Sequence, residues 1–112
     1  LLGMVIDTET MRPALAGVTG GLSGPAIRPV AVRAVYQIRA AFPDLPILGM
    51  GGIATGTDAL EFVLAGANAV SVGTAVFHDP AAVSRVGVEL EHLLAARGFT
   101  SLRDAVSYAH RS

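Results

Sequence analysis

Cysteine is absent from the 112-residue sequence, and charged residues are scarce. Without cysteine, these residues can form neither a disulfide scaffold nor a thiolate metal site. Only 15% of the residues are charged and the formal net charge is −1, so the composition indicates no nucleic-acid partner and no membrane partner. No apolar run approaches the roughly 18 residues of a membrane-spanning helix, and the first residues lack the pattern of a signal peptide.

Apolar residues are abundant and make up 52% of the chain. That fraction is too high for a disordered segment, and it suits elements that are buried on both faces, such as the strands of a parallel sheet. The lack of cysteine is compatible with a cytoplasmic location, which we expect. The sequence starts without an initiator Met, in an apolar stretch, so we expect it to be a piece of a longer protein.

Hydrophobic periodicity predicts helices that alternate with short strands. Apolar positions at three- and four-residue spacing over residues 27–42 predict a helix with one buried face and Pro29 in its first turn. Short apolar runs at residues 46–50 and 69–72 predict buried strands. Between them, Thr57 or Asp58 is expected to cap a helix that ends at Gly66.

The two ends of the chain carry further elements. Residues 1–6 are predicted to be extended, residues 14–15 to pair back as a short ribbon, and residues 17–25 to form a glycine-rich loop. A short helix is expected at residues 75–77, followed by a long helix that ends at Gly98 and a last helix capped by Thr100. The apolar side of the long helix is predicted to comprise Val83, Val86, Leu90, Leu93 and Leu94.

Strands that alternate with helices predict βαβ units and a parallel sheet. The strand-to-strand repeat of about 23 residues is natural for a barrel, and an eight-stranded barrel needs about 250 residues. We therefore predict an α/β fold, the C-terminal part of a (β/α)8 TIM barrel. Residues 1–112 would run from the end of strand 6 through strand 8 and the C-terminal helices, as one segment of a single domain without the upstream barrel.

Glycines follow both predicted strands. One strand ends in Gly51-Gly52 and the next, about 22 residues later, ends in Gly73-Thr74. Ligands of such barrels bind at these strand ends, and glycine lets backbone N–H groups approach a phosphate without a Cβ in the way. A helix that starts just after the loop would add its positive end. The sequence thus predicts a phosphate site, although the glycines could instead simply make tight turns.

Three stretches, TGGLSGPAIRPVAVRAVYQI, PILGMGGI and AGANAVSVGTAVF, closely resemble dihydroorotate dehydrogenase, most of all the B type of class 1. The resemblance runs from Leu1 to about Pro80. It implies an FMN enzyme that oxidises (S)-dihydroorotate to orotate in de novo pyrimidine biosynthesis. The cofactor-binding positions that carry over are Gly24, Gly51, Gly52, Gly73 and Thr74.

The resemblance also sets what these residues should not contain. The family's catalytic base, its flavin-contacting lysines and most of its substrate asparagines belong upstream, so no catalytic residue is expected here. The three histidines share no metal-ligand spacing, so no metal ligand is expected either. The 112 residues alone are expected to be inactive. The B type further implies an iron–sulfur flavoprotein partner that passes electrons to NAD, and we also expect a homo-oligomer.

Alternative interpretations remain open at this level. A barrel like that of dihydropyrimidine dehydrogenase has a similar glycine pattern, and a non-flavin barrel could bind a phosphate with the same loops. A stand-alone structural or binding module is a third class, and unpaired strand edges argue against it. The stretch GMGGIATG does not place its glycines at the spacing of a dinucleotide fingerprint.

A few polar residues have two interpretations each. Ser23 could make a turn hydrogen bond or line the flavin cavity, and Thr74 could bind the phosphate or a helix N–H group. His78 is expected in a loop or near the flavin rim, whereas His92 and His110 are expected to be solvated. Arg28 and Arg33 could meet an anionic ligand or partner, although a solvated helix face is expected.

Overall fold

The computed structural model describes residues 1–73 and 75–111 of the chain. Short strand pairs occupy the first part, and helices alternate with two parallel strands in the rest. Turns of 3-10 helix precede α1 at Pro25–Ile27 and follow α5 at Tyr108–His110. In chain order the elements are β1 (Leu2–Gly3), β2 (Ile6–Asp7), β3 (Arg12–Pro13), β4 (Gly20–Gly21), α1 (Arg28–Ala41), β5 (Leu48–Met50), α2 (Gly56–Ala65), β6 (Ala69–Ser71), α3 (Ala75–His78), α4 (Ala82–Ala96) and α5 (Leu102–Ala105).

The N-terminal part forms two antiparallel pairs. β2 pairs with β3, and the backbone N–H of Ala14 continues this ribbon by donating to the carbonyl of Val5 at 2.9 Å. The predicted ribbon is therefore present, but it is centred two residues earlier than predicted. β1 pairs with β4, so the predicted loop over residues 17–25 contains a short strand that returns the chain to its start.

β5, α2 and β6 form the predicted βαβ unit. The two strands are parallel, with Leu48 opposite Ala69 and Met50 opposite Ser71. Gly49 faces the helix, because a Cβ at this position would lie 2.7 Å from Phe62 Cδ1. Leu48 and Met50 lie on the other face of the strand, where each is 55% exposed.

α1 begins with Pro29 in its first turn, as predicted. Its buried side is narrower than the apolar pattern suggested. Val35 is 7% exposed, whereas Ile38 and Phe42 are 41% and 59% exposed. The predicted buried position of Ile38 and Phe42 is therefore wrong, because α1 meets the core through Val35 and the partly buried Ala31 and Val32.

The N-terminus of α2 is capped by a residue that the sequence analysis did not choose. Thr55 is the N-cap: its hydroxyl accepts from the Asp58 N–H at 3.2 Å, and the Asp58 carboxylate accepts from the Thr55 N–H at 3.1 Å. This is a reciprocal capping box. Neither Thr57 nor Asp58 is the cap itself, because Asp58 lies three residues inside the helix. Gly66 ends the helix with a positive φ of 135°, as predicted.

The core lies between α2 and its neighbours. Phe62 and Val63 are the largest fully buried side chains, and α2 packs against both α1 and α4. On α4, Val86 and Leu94 are buried as predicted, and Leu90 and Leu93 are partly buried. Val83 is 59% exposed, so its predicted place in the core is wrong. It lies in the first turn of the helix, away from α2.

The C-terminal segment folds back onto α2. The N–H of Ser107 donates to the carbonyl of Val63 at 3.0 Å. The predicted last helix is shorter than expected, since α5 is followed by a separate 3-10 turn. Thr100 is not its cap: Ser101 is the N-cap residue, and the Thr100 hydroxyl bonds to the Asp104 carboxylate at 2.8 Å.

A buried arginine joins α1 to the βαβ unit. Arg39 is 7% exposed, and its guanidinium donates to the carbonyl of Gly66 through Nε at 3.1 Å and Nη2 at 2.8 Å. Nη2 also donates to Asn68 Oδ1 at 2.8 Å, and Nη1 donates to the carbonyls of Phe42 and Pro43. The side chain therefore fixes the end of α1 and the α2–β6 turn in one place.

Candidate functional site

The glycines that follow the strands come together with the N-terminal glycine loop. Gly24, Gly51, Gly52 and Gly73 line one cavity of about 320 Å³, which we call the glycine groove. The resemblance predicts that these four residues bind the cofactor, and the structure places them side by side. The fifth, Thr74, lies outside the described residues. The other lining residues of the glycine groove are Leu22, Ser23, Ile27, Met50 and Ser71.

A second and larger cavity of about 550 Å³ shares Ser23, Gly24 and Gly52 with the glycine groove. Its volume lies within the range of about 300–1,000 Å³ that is usual for small-molecule sites. The far wall comes from α3, from the α3–α4 junction and from α4. The remaining lining residues of this larger cavity are Pro25, Ile53, Ala54, Ala75, Phe77, His78, Asp79 and Arg85.

The four glycines serve two different needs. A Cβ on Gly24 or Gly73 would meet no atom within 4 Å, so the main chain at these positions borders open space. At Gly52 a Cβ would collide with the carbonyl oxygen of Gly24, and at Gly51 it would lie 2.9 Å from Ala31 Cβ. Packing thus requires glycine at positions 51 and 52, whereas Gly24 and Gly73 leave the backbone accessible.

Backbone angles reinforce this division. Gly24, Gly51 and Gly52 have φ values of 86°, 132° and 70°, a region that residues with a Cβ rarely adopt. The turn interpretation therefore holds for the pair after β5, and the binding interpretation stays a prediction. An exchange of Gly52 would strain the fold as well as change the site, and Gly73, which is not among the positive-φ residues, is the cleaner position to test.

Three side chains hold the loop after β5. Arg28 Nη1 donates to the carbonyl of Gly52 at 3.3 Å, and Asp58 Oδ2 accepts from the N–H groups of Ala54 and Thr55 at 3.0 and 3.1 Å. Arg28 also lies 3.3 Å from the Asp58 carboxylate and 3.4 Å from that of Glu61. The expected solvated position of Arg28 is therefore wrong, because the guanidinium bridges α1 and α2; Arg33 is exposed.

Arg85 is the third side chain that holds the loop after β5, and no role was predicted for it from the sequence. Its Nη2 donates to the carbonyl of Ala54 at 2.8 Å, and its Nε and Nη1 contact Asp79 Oδ2 at 3.0 Å and Glu89 Oε1 at 3.1 Å. The four-residue spacing of Arg85 and Glu89 on a predicted helix was a readable signal of their pairing. The contact with Ala54 crosses 31 positions of sequence and left no local signal.

The remaining candidates divide between the site and the surface. Ser23 and His78 line the larger cavity. His92 is exposed, as expected. His110 is not simply solvated: its ring stacks on Tyr36 with a centroid distance of 4.0 Å, and its Nε2 lies 2.7 Å from the carbonyl of Ala65. Among residues 1–73 and 75–111, no group of three His, Asp or Glu side chains is arranged to hold a metal ion.

Comparison with known proteins shows to which family the chain belongs. The family model of dihydroorotate dehydrogenase matches residues 1–94. The chain belongs to the dihydroorotate dehydrogenase family. This confirms the resemblance that GGLSGPAI and GMGGI indicated, since both stretches lie within the matched residues.

Curated relatives of this family match nearly the whole chain. The catalytic subunit of dihydroorotate dehydrogenase B (NAD(+)) from Geobacter metallireducens is 55% identical over 106 residues, which is 95% of this chain and 34% of the relative. The same subunit from Desulforudis audaxviator is 54% identical over all 112 residues, 36% of its length. Dihydroorotate dehydrogenase A (fumarate) from Limosilactobacillus reuteri is 51% identical over 104 residues. The chain thus spans about a third of these relatives' length.

Solved structures of the family show the same fold. The crystal structure of the Eimeria tenella enzyme in complex with ferulenol superposes with a TM-score of 0.81 at 32% identity, covering 98% of this chain and 30% of that one. The ligand-free enzyme from the same organism gives 0.80. The predicted fold class, a segment of an α/β barrel, is therefore confirmed. None of the described helices has the length and apolar character needed to cross a bilayer.

Proposed function

We propose that this chain is the C-terminal segment of an FMN-dependent (β/α)8 barrel that oxidises (S)-dihydroorotate to orotate in de novo pyrimidine biosynthesis. Its part is to hold the flavin phosphate with the main chain of its glycine loops. The observation that carries this proposal is the glycine groove, in which Gly24, Gly51, Gly52 and Gly73 meet beside the larger cavity.

The residues present suit a nucleotide phosphate. Three separate loops offer glycine backbone to one space, and at Gly24 and Gly73 an added Cβ would stand in otherwise open volume. Backbone N–H groups that are not covered by side chains are effective donors to phosphate oxygens. The glycine groove and the larger cavity together could hold a phosphate and the chain attached to it.

Exposed apolar residues on the strands support the barrel. A parallel sheet normally has both of its faces covered, yet Leu48 and Met50 are each 55% exposed on the face of β5 that α2 does not cover. In a closed barrel this face would be the packed interior. We therefore propose that residues 1–112 complete one domain together with further strands.

Within this proposal the described residues hold the cofactor in position, and they do not transfer protons. Most side chains that line the two cavities are small or apolar. The carboxylate of Asp79 is already engaged by Arg85 and by the N–H of Ala81 at 3.0 Å. A bound flavin would supply the hydride acceptor, and the glycine loops would fix its phosphate end so that its reactive ring faces the substrate.

The partners in this proposal follow from the relatives' names. Relatives at 54–55% identity are catalytic subunits of the B (NAD(+)) enzyme, and a catalytic subunit implies a second, electron-transferring subunit. We propose an iron–sulfur flavoprotein in that role. A cytoplasmic location and a homo-oligomeric state rest on the resemblance alone.

Gly73→Val in the full-length protein tests the site. A valine side chain should occupy the open space beside the groove and weaken FMN binding by at least about tenfold, with little change in thermal stability. FMN titration of the apoprotein, followed by flavin fluorescence, measures this. Gly21→Val is the matched control, because its added Cβ also meets no atom within 4 Å and Gly21 lines neither cavity. Equal FMN affinity in both variants would remove Gly73 from the site.

A further inference from the structure

Arg85 links three separate pieces of the chain with its three guanidinium nitrogens. Nη2 binds the carbonyl of Ala54, two residues after Gly52; Nε binds Asp79, directly after α3; and Nη1 binds Glu89 on α4. Glu89 Oε1 in turn accepts from the N–H of Gly56 at 2.9 Å. The loop after β5 is thereby fastened to the segment that follows β6.

These pieces form two walls of the larger cavity. Gly52 and Ala54 belong to the wall made by the loop after β5, Ala75 and Asp79 belong to the wall made by α3 and the residue after it, and Arg85 bonds to both walls. Gly52 also lines the glycine groove. The spacing between the two walls therefore determines where one side of the glycine groove lies.

The charges around Arg85 indicate positioning and not direct attraction of an anion. One guanidinium faces two carboxylates, those of Asp79 and Glu89, so this wall carries no surplus positive charge. The guanidinium presents its donors on three nitrogens at fixed angles, whereas lysine carries its three donors on one rotating nitrogen. The geometry of the guanidinium, and not only its charge, is therefore what joins the walls.

We propose that Arg85 is a positioning residue that sets the spacing of the two walls and thereby the position of Gly52 in the glycine groove. It thereby also sets how strongly the site prefers a flavin with a phosphate over the same flavin without one. This inference rests on the proposed function. Arg85 acts through the loop at Ala54 and through Asp79. Its loss should weaken the contribution of the phosphate group to binding and leave the contribution of the ring and ribityl chain in place.

The experiment compares FMN with riboflavin, which lacks the phosphate. Apoprotein of the full-length chain is titrated with each ligand, and the ratio of the two dissociation constants is measured for wild type, Arg85→Gln and Arg85→Lys. We expect the preference for FMN to fall about tenfold in Arg85→Gln, with riboflavin affinity unchanged. Arg85→Lys keeps the charge. On a logarithmic scale of the ratio of the two dissociation constants, we expect it to recover less than half of the loss seen in Arg85→Gln.

A double-mutant cycle with Asp79 tests whether Arg85 acts through its contact with Asp79. Asp79→Asn should also reduce the preference for FMN. The double variant should show no larger loss than the more affected single variant, because both changes break the same contact between Arg85 and Asp79. Arg97→Gln is the control, since Arg97 is an exposed arginine at the end of the same helix. Its preference should equal that of wild type.

The outcomes separate this inference from the proposed function. Failure of wild type to bind FMN, or equal affinity of wild type for FMN and riboflavin, would reject the proposed phosphate site. A wild type that prefers FMN while both Arg85 variants keep that preference would overturn the role of Arg85. So would a parallel loss of riboflavin and FMN affinity, or full additivity in the Asp79 cycle. If Arg85→Gln does not fold, Arg85→Lys decides.

Discussion

Individual arginines do more of the structural work here than their sequence positions suggest. Arg28, Arg39 and Arg85 each donate to a backbone carbonyl at least 24 positions away in sequence. Arg28 was expected on a solvated face, and no role was predicted for Arg39 or Arg85. Such contacts are invisible to periodicity, because a long side chain on a helix can reach across its neighbour while its Cα follows the local pattern.

At this scale, Arg39→Met should destabilise the full-length protein by about 3 kcal/mol, because it removes the donors for Gly66, Asn68 and two further carbonyls from a buried site. Arg33→Met, on the exposed side of the same helix, should change stability by less than about 0.5 kcal/mol. Chemical denaturation of both variants measures the difference. Equal stabilities would mean that the Arg39 contacts are replaced by water at no cost.

At the scale of elements, the sequence predicted which helices and strands exist better than it predicted the residues at which they begin and end. Helices close to α1, α2 and α4 were expected from apolar spacing together with capping residues, proline and glycine at their ends. The cap of α2 was missed by two or three positions, because Thr55, Thr57 and Asp58 are all suitable capping residues and only the backbone decides between them. The apolar side of α1 was predicted too wide, since periodicity shows which face is apolar and not whether anything covers it.

The packing of α2 on β5 gives the prediction for this scale. Gly49→Ala should cost about 1–3 kcal/mol, because the added Cβ would lie 2.7 Å from Phe62 Cδ1 and 3.1 Å from Ala67 Cβ in a filled core. Gly21→Ala, in the short strand β4, meets no atom within 4 Å and should be nearly neutral. Thermal unfolding of the full-length variants compares them. A neutral Gly49→Ala would show that α2 can move away from the strand.

For the molecule as a whole, the sequence could predict that the glycine loops meet. Parallel strands end at one edge of a sheet, so Gly51-Gly52 and Gly73 had to lie close together once the βαβ unit was recognised. The sequence could not show that Gly24 closes the same groove from the N-terminal side, except through the resemblance. The walls of the larger cavity depend on α3 and α4, whose packing no local pattern specifies.

The electron acceptor is the prediction that belongs to the whole assembly. We expect the full-length chain alone to oxidise dihydroorotate with an artificial acceptor but not with NAD, and to reduce NAD only when an iron–sulfur flavoprotein subunit is co-purified. Steady-state assays with NAD and with fumarate distinguish the two named types among the relatives. Rapid fumarate reduction by the single chain would contradict the B-type proposal.

The contact between Gly52 and the Gly24 carbonyl has a consequence for how this region can vary. Because a Cβ at position 52 would collide with the Gly24 carbonyl, any larger residue at position 52 requires the main chain around position 24 to shift. A saturation library should therefore accept only glycine at position 52, and a second change near position 24 should be the first route by which any larger residue becomes tolerated there.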